Sequence, residues 1–167
     1  FDNKVSLITG AGSGIGRQLA LELAKLGSIV VISDASEAGV RETAKLIKCE
    51  DKDCFSVVDV TDYDEVKNFI EKAASKFGRI DYLFNNAGIA VAADARDYNI
   101  SHWRAVVEVN LMGVIHGCDT AYKIMSEQNS GHIVNIASLS GLVPFPTNVP
   151  YAATKHAVVG LSTSLRV

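Results

Sequence analysis

Short apolar runs rich in β-branched residues alternate with amphipathic helical patterns along this chain of 167 residues. Within each run the apolar residues follow one another almost without interruption, a pattern typical of strands that are covered on both faces in a parallel sheet. Consecutive parallel strands joined through a helix require right-handed crossovers, so the alternation predicts an α/β fold with a doubly wound parallel sheet. The predicted strands are residues 4–9, 28–33, 54–60, 80–88 and 132–138.

Two helices are marked by apolar residues at helical spacing and by a glycine just beyond the last of them. Gly27 and Gly78 are each placed to end a helix in the left-handed conformation. The second helix has acidic residues in its positively polarised first turn, and Thr61 is a candidate cap for its start. The apolar positions are Ile15, Leu19, Leu23 and Leu26 in one helix and Val66, Phe69, Ile70, Ala73 and Phe77 in the other.

A glycine-rich turn, TGAGSGIG, joins the first strand to the first helix. The pattern G-x-G-x-x-G fails in both registers, because its last position would be Ile15 or Arg17. The spacing that fits is Gly10-x-x-x-Gly14-x-Gly16, which allows a tight turn and a close approach of a pyrophosphate to the backbone N–H groups at a helix N-terminus. The alternative is a loop that is merely rich in glycine; the strand–helix setting favours a dinucleotide site.

Asp34 directly follows the second predicted strand. A carboxylate at this place can accept hydrogen bonds from both ribose hydroxyls of an adenosine, and it repels a 2′-phosphate. Neither Ser13 nor Ala35 supplies a compensating cation, and Arg17 begins a helix and would have to turn back. These residues favour NAD over NADP. Alternatively, Asp34 starts a loop or caps the next helix, a role that Ser36 could fill equally well.

Near the end of the chain, Tyr151 precedes Lys155 by four residues, which places both side chains on one face of a helix. A free phenol has a pKa of about 10, and a cation beside a phenolate favours the ionised form, so this pair suits proton removal from an alcohol. Pro150 fits the first turn of that helix and places Tyr151 near its positive end. A lone Tyr-x-x-x-Lys is more often a solvated helix face.

Two further polar residues are candidates for the same site. Ser138 lies at the very end of the fifth predicted strand, at the edge of the sheet where ligands bind, and its hydroxyl can donate to a substrate oxygen. Taken alone, it is more often a cap or turn residue. Asn110 stands in an apolar helical setting that asparagine does not favour, so it requires either a local backbone bond or a functional reason.

Six short motifs occur along the chain in an order and at separations that resemble the short-chain dehydrogenase/reductase family in its single-domain form. Any one of them is weak evidence, whereas six in order are highly specific and cover nearly the whole chain. The resemblance implies a Rossmann-type, three-layer α/β/α fold, a nicotinamide cofactor, and reversible oxidation of an alcohol to a ketone. The motifs are TGAGSGIG (9–16), DV (59–60), NNAG (85–88), VNLMG (109–113), IVNIAS (133–138) and YAATK (151–155).

Carried over position by position, the resemblance implies four catalytic residues. Tyr151 matches the acid/base, Lys155 its partner, Ser138 the hydroxyl that orients the substrate, and Asn110 a residue whose bound water relays protons to the lysine. Asp59 and Val60 match residues that contact adenine, and residues 86–88 match a stretch that passes beside the cofactor and helps to hold the sheet together. The implied cofactor-binding residues are Gly10, Ser13, Gly14, Ile15, Gly16, Asp34, Asp59, Val60, Asn86, Ala87, Gly88, Tyr151 and Lys155.

Composition excludes several other classes of protein. The net charge is −3 and no basic run occurs, which argues against nucleic acid or anionic membranes as partners. The four histidines show no metal-ligand spacing, so no metal site is expected. Three cysteines without a C-x-x-C motif predict reduced thiols in an intracellular protein. No apolar run approaches the roughly 18 residues of a membrane span, and a cytoplasmic location is expected.

The resemblance also implies what this sequence does not contain. Family members are usually longer, so the last two strands and the segment that closes over the substrate are expected beyond residues 1–167, which form a single NAD(P)-binding domain. In relatives, helices corresponding to residues 110–127 and to the helix that starts at 150 pair across a two-fold axis, which implies a homodimer or homotetramer. Apolar residues in 139–145 and in 88–99 favour a mainly apolar secondary alcohol or ketone as the substrate.

Two alternative functions remain at this point. A dehydratase or epimerase would use hydride transfer only transiently, and the short single-domain spacing argues against it. A non-catalytic NAD-binding regulatory protein would have no need for the complete set of four catalytic candidates. An NAD-dependent alcohol oxidoreductase is the favoured hypothesis.

Overall fold

Five parallel strands form one sheet in the computed structural model, which describes residues 1–49 and 52–165. The strands are β1 (Val5–Thr9), β2 (Ile29–Asp34), β3 (Phe55–Val57), β4 (Tyr82–Asn85) and β5 (His132–Asn135). Their order across the sheet is β3-β2-β1-β4-β5, which confirms the predicted parallel sheet. The last three strands are shorter than predicted, because the chain leaves the sheet toward the candidate site while its sequence is still apolar.

Six α-helices are found in the described ranges. They are α1 (Gly14–Lys25), α2 (Glu37–Leu46), α3 (Tyr63–Phe77), α4 (Ile100–Val107), α5 (Gly113–Gln128) and α6 (Val149–Ser164). A π turn, Glu108–Met112, joins α4 to α5, so the helix expected from residue 110 begins within a longer helical segment. Short 3₁₀ turns occur at Lys52–Cys54, Ala95–Asp97 and Leu139–Gly141.

Helices cover both faces of the sheet, and successive residues of the central strand show this directly. Ile8 packs with Ala20 of α1 and Val40 of α2 on one face. Leu7 packs with Ile70 of α3 and with residues of α5 on the other face. Both strand residues are fully buried, so the near-continuous apolar character of β1 follows from its two covered faces. The Rossmann-type, three-layer α/β/α arrangement is confirmed.

The helix ends confirm one sequence prediction and correct another. Gly27 and Gly78 have φ values of +80° and +72° and end α1 and α3 as expected. The expectation that Thr61 caps α3 is wrong, because the carboxylate of Asp62 accepts hydrogen bonds from two backbone N–H groups of the first turn. Thr61 instead donates its backbone N–H and its hydroxyl to Asp59, both at 2.9 Å.

The cysteines also depart from expectation. Cys49 and Cys54 are paired in a disulfide with Cα atoms 6.4 Å apart, a usual separation for such a bond. Cys118 is buried and free, and burial raises the pKa of its thiol. The prediction of reduced thiols is therefore wrong for Cys49 and Cys54, because sequence spacing alone does not show that two side chains come together.

The strand order reverses between β1 and β4, which lie side by side although two strands and three helices separate them in the chain. In open α/β sheets, the crevice beyond the carboxyl ends of the strands at such a reversal is where ligands bind. The glycine-rich turn follows β1 and residues 86–88 follow β4, so both predicted cofactor segments border this crevice.

Candidate active site

Gly10 brings the ends of β1 and β4 into direct contact. Its φ of +65° lies in the left-handed region, and a Cβ there would lie 2.6 Å from Cα of Ala87, so only glycine fits. The side-chain amide of Asn86 donates to the carbonyl oxygens of Thr9 and Gly10, both at 3.0 Å. The Thr9 hydroxyl accepts the backbone N–H of Asn86 at 3.1 Å and that of Ala87 at 3.2 Å. Asn86 and Ala87 are thereby tied to β1.

Gly14 and Gly16 both begin α1 but have different surroundings. A Cβ on Gly16 would meet the carbonyl oxygen of Gly10 and the amide nitrogen of Asn86, so this glycine is required by packing. Gly14 has a φ of +52° and no heavy atom within 4 Å of the place where its Cβ would lie, so it borders open space. Ser13, the N-cap residue, makes no capping bond with its side chain, which leaves the helix N-terminus accessible.

Gly16→Ala is therefore expected to lower the free energy of unfolding by about 1–3 kcal/mol, because the added methyl group has nowhere to go in a closely packed interior. The matched control is Gly160→Ala in the middle of α6, where nothing lies within 4 Å of the added Cβ. That change is expected to raise stability by about 0.5–1 kcal/mol. Urea unfolding measures both, and equal stabilities for the two variants would contradict the packing argument.

Asp34 lies at the end of β2 and faces the glycine-rich turn. Its Oδ2 accepts the backbone N–H of Gly12 and its Oδ1 that of Ser36, both at 2.8 Å. Ser36 is the N-cap of α2 and accepts the backbone N–H of Gly39 at 3.2 Å. The cap is thus Ser36, and the Asp34 carboxylate is held at the rim of the turn, where each oxygen keeps a further lone pair.

Asp59 and Val60 lie in the loop that follows β3. Asp59 is held by Thr61, as described above, and its own backbone N–H donates to Oε2 of Glu65 at 2.8 Å. Val60 is buried, and its carbonyl oxygen lies 3.0 Å from Nδ1 of His116 on α5. These bonds fix the loop after β3 against both α3 and α5.

A cavity of about 440 Å³ lies between these segments and brings most of the predicted cofactor residues together. Four of its lining residues are not among the predicted cofactor residues, although each directly follows or precedes a predicted site residue; they are apolar, and only one of them, Val109, lies within a motif. The predicted members are Gly10, Ser13, Gly14, Ile15, Gly16, Asp34, Asp59, Val60, Asn86, Ala87 and Gly88; the others are Ala35, Val58, Ile89 and Val109.

The residues of this cavity fit a dinucleotide. The N-terminus of the twelve-residue helix α1 offers backbone N–H groups and a positive dipole end to a pyrophosphate, and Gly14 leaves room for close approach. Asp34 offers carboxylate acceptors for ribose hydroxyls. Val58 and Val60 supply an apolar wall on which a base can pack.

Asn110 lies in the π turn between α4 and α5 and is fully buried. Its Oδ1 accepts the backbone N–H of Ile89 at 2.8 Å, and its Nδ2 donates to the carbonyl oxygen of the same residue at 2.9 Å. A longer contact of 3.4 Å reaches the hydroxyl of Thr154 on α6. Because Ile89 is 21 residues away in the chain, these bonds are not local; they join the π turn to the segment after β4.

Tyr151 and Lys155 lie on one face of α6, and the Lys155 ammonium is 5.5 Å from the centroid of the Tyr151 ring. Nζ donates to the carbonyl oxygen of Ile136 at 2.6 Å. Lys155 is only 4% exposed, and burial lowers the pKa of its ammonium group. Pro150 lies in the first turn of α6, as predicted, so Tyr151 is near the helix N-terminus.

Ser138 follows β5 and caps the 3₁₀ turn Leu139–Gly141, where its Oγ accepts the backbone N–H of Ser140 at 3.1 Å. The hydroxyl proton remains free to be donated to another acceptor. The turn packs tightly on α6, since a Cβ on Gly141 would lie 2.6 Å from the carbonyl oxygen of Lys155. Ser138 is therefore held in a fixed relation to the helix that carries Tyr151.

Gly88 joins the cofactor segment to the catalytic candidates. A Cβ on Gly88 would lie 3.4 Å from Oδ1 of Asn110 and 3.8 Å from Nζ of Lys155. The end of the dinucleotide cavity thus reaches the buried ammonium group.

The segment between β4 and α4 and the segment between β5 and α6 are joined by hydrogen bonds. The Tyr98 hydroxyl lies 2.7 Å from the carbonyl oxygen of Val91 and 2.8 Å from that of Thr147. The same Thr147 oxygen accepts the backbone N–H of Ala93 at 2.9 Å. Thr147 has a φ of +63°, an uncommon conformation for a β-branched residue and one that recurs at functional sites. Sequence patterns gave no sign of this contact, which is made by backbone carbonyls. Four apolar side chains of the segment between β5 and α6, which contains Thr147, are exposed: Leu139, Leu142, Val143 and Phe145.

Within residues 1–49 and 52–165, no three His, Cys, Asp or Glu side chains lie close enough together to bind a metal ion. None of the helices in this part of the chain combines the length and the apolar character needed to cross a bilayer.

Comparisons with known proteins agree with this geometry. The family model described as short chain dehydrogenase matches residues 4–167. An uncharacterized oxidoreductase of Staphylococcus saprophyticus is 37% identical over 99% of this chain and 71% of its own length. Levodione reductase of Leifsonia aquatica is 39% identical over the whole of this chain and 64% of its own length. The structure of a short chain dehydrogenase/reductase from Burkholderia phymatum in complex with NAD has a TM-score of 0.93 and 38% identity, and the match covers 99% of this chain and 59% of that one. The chain therefore spans about two thirds of the length of these proteins.

Proposed function

Because the chain belongs to the short-chain dehydrogenase family, we propose that it contains the cofactor site and the acid/base site of an NAD-dependent oxidoreductase that interconverts a secondary alcohol and a ketone. The observation that most supports this proposal is the buried ammonium group of Lys155, which lies over the ring of Tyr151 and beside Gly88 at the end of the dinucleotide cavity. A purely structural lysine would have no reason to be buried without a carboxylate partner.

In this proposal, the phenolate of Tyr151 removes the hydroxyl proton of the alcohol, and in the reverse direction the phenol returns it to the carbonyl oxygen. The buried Lys155 ammonium lies over the Tyr151 ring and so places a positive charge beside the site of proton transfer. The Ser138 hydroxyl, whose proton is free, donates to the substrate oxygen and so orients it beside Tyr151. A bound nicotinamide supplies the acceptor or donor of the hydride on the carbinol carbon.

Asn110 is a positioning residue, which holds neighbouring segments of the site in place. Both polar atoms of its amide hold Ile89, so the π turn and the segment after β4 keep a fixed relation to Lys155. Oδ1 has a second lone pair, which suits the family role of binding a water molecule that relays protons to the lysine.

Features of the structure and of its relatives support NAD as the cofactor and an apolar alcohol or ketone as the substrate. Asp34 lines the cavity and its carboxylate disfavours a 2′-phosphate, and a similar protein binds NAD. The apolar side chains that border the catalytic candidates, among them Leu139 at 79% exposure, favour a mainly apolar substrate. A relative named as a reductase of levodione is consistent with carbonyl chemistry.

The test is a screen of the complete protein for NAD reduction at 340 nm with a panel of secondary alcohols, with a matched panel of ketones and NADH for the reverse direction. We expect stoichiometric formation of NADH with at least one apolar secondary alcohol and a slower rate with NADP. Stoichiometric NADH formation also distinguishes a dehydrogenase from an epimerase or dehydratase, which releases no reduced cofactor. NAD binding without turnover across the panel would favour a regulatory protein instead.

A further inference from the structure

We propose that Glu42 is a second determinant of cofactor choice: its carboxylate holds the guanidinium group of Arg17 away from the ribose end of the cavity, where that group would otherwise bind the 2′-phosphate of NADP. The proposal rests on the dinucleotide site described above and adds a residue that lies outside the cavity lining.

The side chain of Arg17 binds three partners through Nη2 and Nε. Nη2 forms an ion pair with Oε2 of Glu42 at 2.7 Å and also donates to the carbonyl oxygen of Gly12. Nε donates to the hydroxyl of Thr43 at 3.0 Å. The guanidinium group thus does turn back toward the glycine-rich turn, but α2, which carries Glu42 and Thr43, retains it.

Gly12 lies between the guanidinium group and the carboxylate that selects the ribose. Its carbonyl oxygen is bound by Arg17 and its N–H by Oδ2 of Asp34 at 2.8 Å. A Cβ on Gly12 would lie 2.7 Å from Cγ of Asp34, so the two residues are in contact. Only one residue therefore separates the cation from the place where a 2′-phosphate would have to sit.

Once the Glu42 carboxylate is removed, the guanidinium group of Arg17 is expected to bind such a phosphate instead. Guanidinium groups bind phosphate through two parallel hydrogen bonds, more strongly than a single exposed carboxylate holds them. Glu42 is 62% exposed at its side chain and Arg17 is 25% exposed, and ion pairs this open to solvent are weak. The other arginine nearby, Arg41, pairs with Glu37 at 2.7 Å and lies over the ring of Phe55, so it is directed toward β3.

The experiment measures the dissociation constants of NADH and NADPH by nucleotide fluorescence on the complete protein, and so needs no substrate. The variants are Asp34→Ser, Glu42→Gln and the combination of both. We expect the combination to bind NADPH about three- to fivefold more tightly than Asp34→Ser alone, which is the gain that loss of one exposed ion pair allows. Relative to Asp34→Ser alone, the affinity for NADH is expected to change by less than about twofold, because NADH has only a neutral hydroxyl at the ribose 2′ position and no charged group there for Arg17 to bind. Glu42 is exposed, so the change leaves folding intact, which circular dichroism checks.

Two controls make the result specific. Glu37→Gln in the Asp34→Ser background removes the same charge from the same helix, but its partner Arg41 does not touch the glycine-rich turn. Arg17→Ala added to the double variant is expected to abolish the gain in NADPH affinity. The proposal is overturned by no gain, by an equal gain from Glu37→Gln, or by a gain that survives Arg17→Ala. If the unaltered protein binds neither nucleotide, the proposed function fails; if it binds NADH and the variants show no specific gain, only this inference fails.

Discussion

Replacement of Tyr151 by Phe is expected to reduce kcat by roughly 10²–10⁴-fold, the usual contribution of a general acid/base, while the dissociation constant of NAD stays within about twofold of its original value. The change removes one oxygen atom and keeps the ring that packs near Lys155, so the fold and the cofactor cavity are preserved. Tyr151 is not among the residues that line the cavity, which is why binding and turnover should separate.

The measurement combines initial rates on the best alcohol from the screen with a fluorescence titration of NADH. Tyr122→Phe is the matched control, since Tyr122 is an exposed tyrosine on α5 for which the described residues offer no hydrogen-bond partner. It should retain full activity. Retention of more than about a tenth of kcat by Tyr151→Phe would contradict the assignment of Tyr151 as the acid/base, because a loss of less than about tenfold is smaller than the usual contribution of proton transfer.

Replacement of Lys155 by Met is expected to abolish turnover and at the same time to stabilise the fold, by about 1 kcal/mol or more at pH 7. The buried ammonium has one backbone acceptor, Ile136, and no carboxylate within the described residues forms an ion pair with it. Burying such a charge costs several kcal/mol, whereas leaving the half-buried Ile136 carbonyl without its donor costs about 1–3 kcal/mol, so the first effect prevails. Met fills nearly the same volume without a charge.

The pH dependence of stability provides an independent readout. Burial lowers the pKa of Lys155 from its ordinary value of 10.5, so between the two pKa values the unfolded chain holds more protons than the folded one. The free energy of unfolding therefore rises with pH across that window, and the destabilising contribution is fully present below the folded pKa. Lys155→Met should lack this rise. Lys123→Met, which changes an exposed lysine of α5, serves as the control and should affect neither turnover nor the rise that Lys155 causes.

A loss of stability in Lys155→Met comparable to that of a core cavity would show that the Ile136 bond outweighs the burial of the charge. It would leave the catalytic assignment to the Tyr151 experiment alone. A gain in stability with a loss of turnover would identify Lys155 as a residue that is kept for function at the expense of the fold.

The features that the sequence predicted well depend on local or periodic signals. The sheet follows from the apolar runs, and the ends of α1 and α3 follow from Gly27 and Gly78, because only glycine adopts the left-handed conformation without strain. The glycine-rich turn was recognised from its spacing, although the structure divides its members: Gly10 and Gly16 are required by packing, and Gly14 borders open space.

What the sequence could not predict depends on contacts between distant segments. The π turn around Asn110 arises where two helices join, and the residues that flank it, Val107 and Gly113, have ordinary helical angles, so no residue type marks it. The contact of Tyr98 with Thr147 is made through a backbone carbonyl, and Arg17 binds a residue 25 positions away. Thr61 and Asp62 are both good caps, and only the path of the chain decides between them.

The tie between Thr9, Gly10 and Asn86 has a consequence for the thermodynamics of ligand binding. Gly10 and Asn86 line the cavity, and their bonds with each other and with Thr9 join two central strands, which belong to the part of a protein that opens only when the whole fold opens. The conformational entropy of this surface is therefore lost during folding, before any nucleotide arrives. A ligand that binds here meets a preorganised surface, so that little of its interaction energy is spent on ordering the protein.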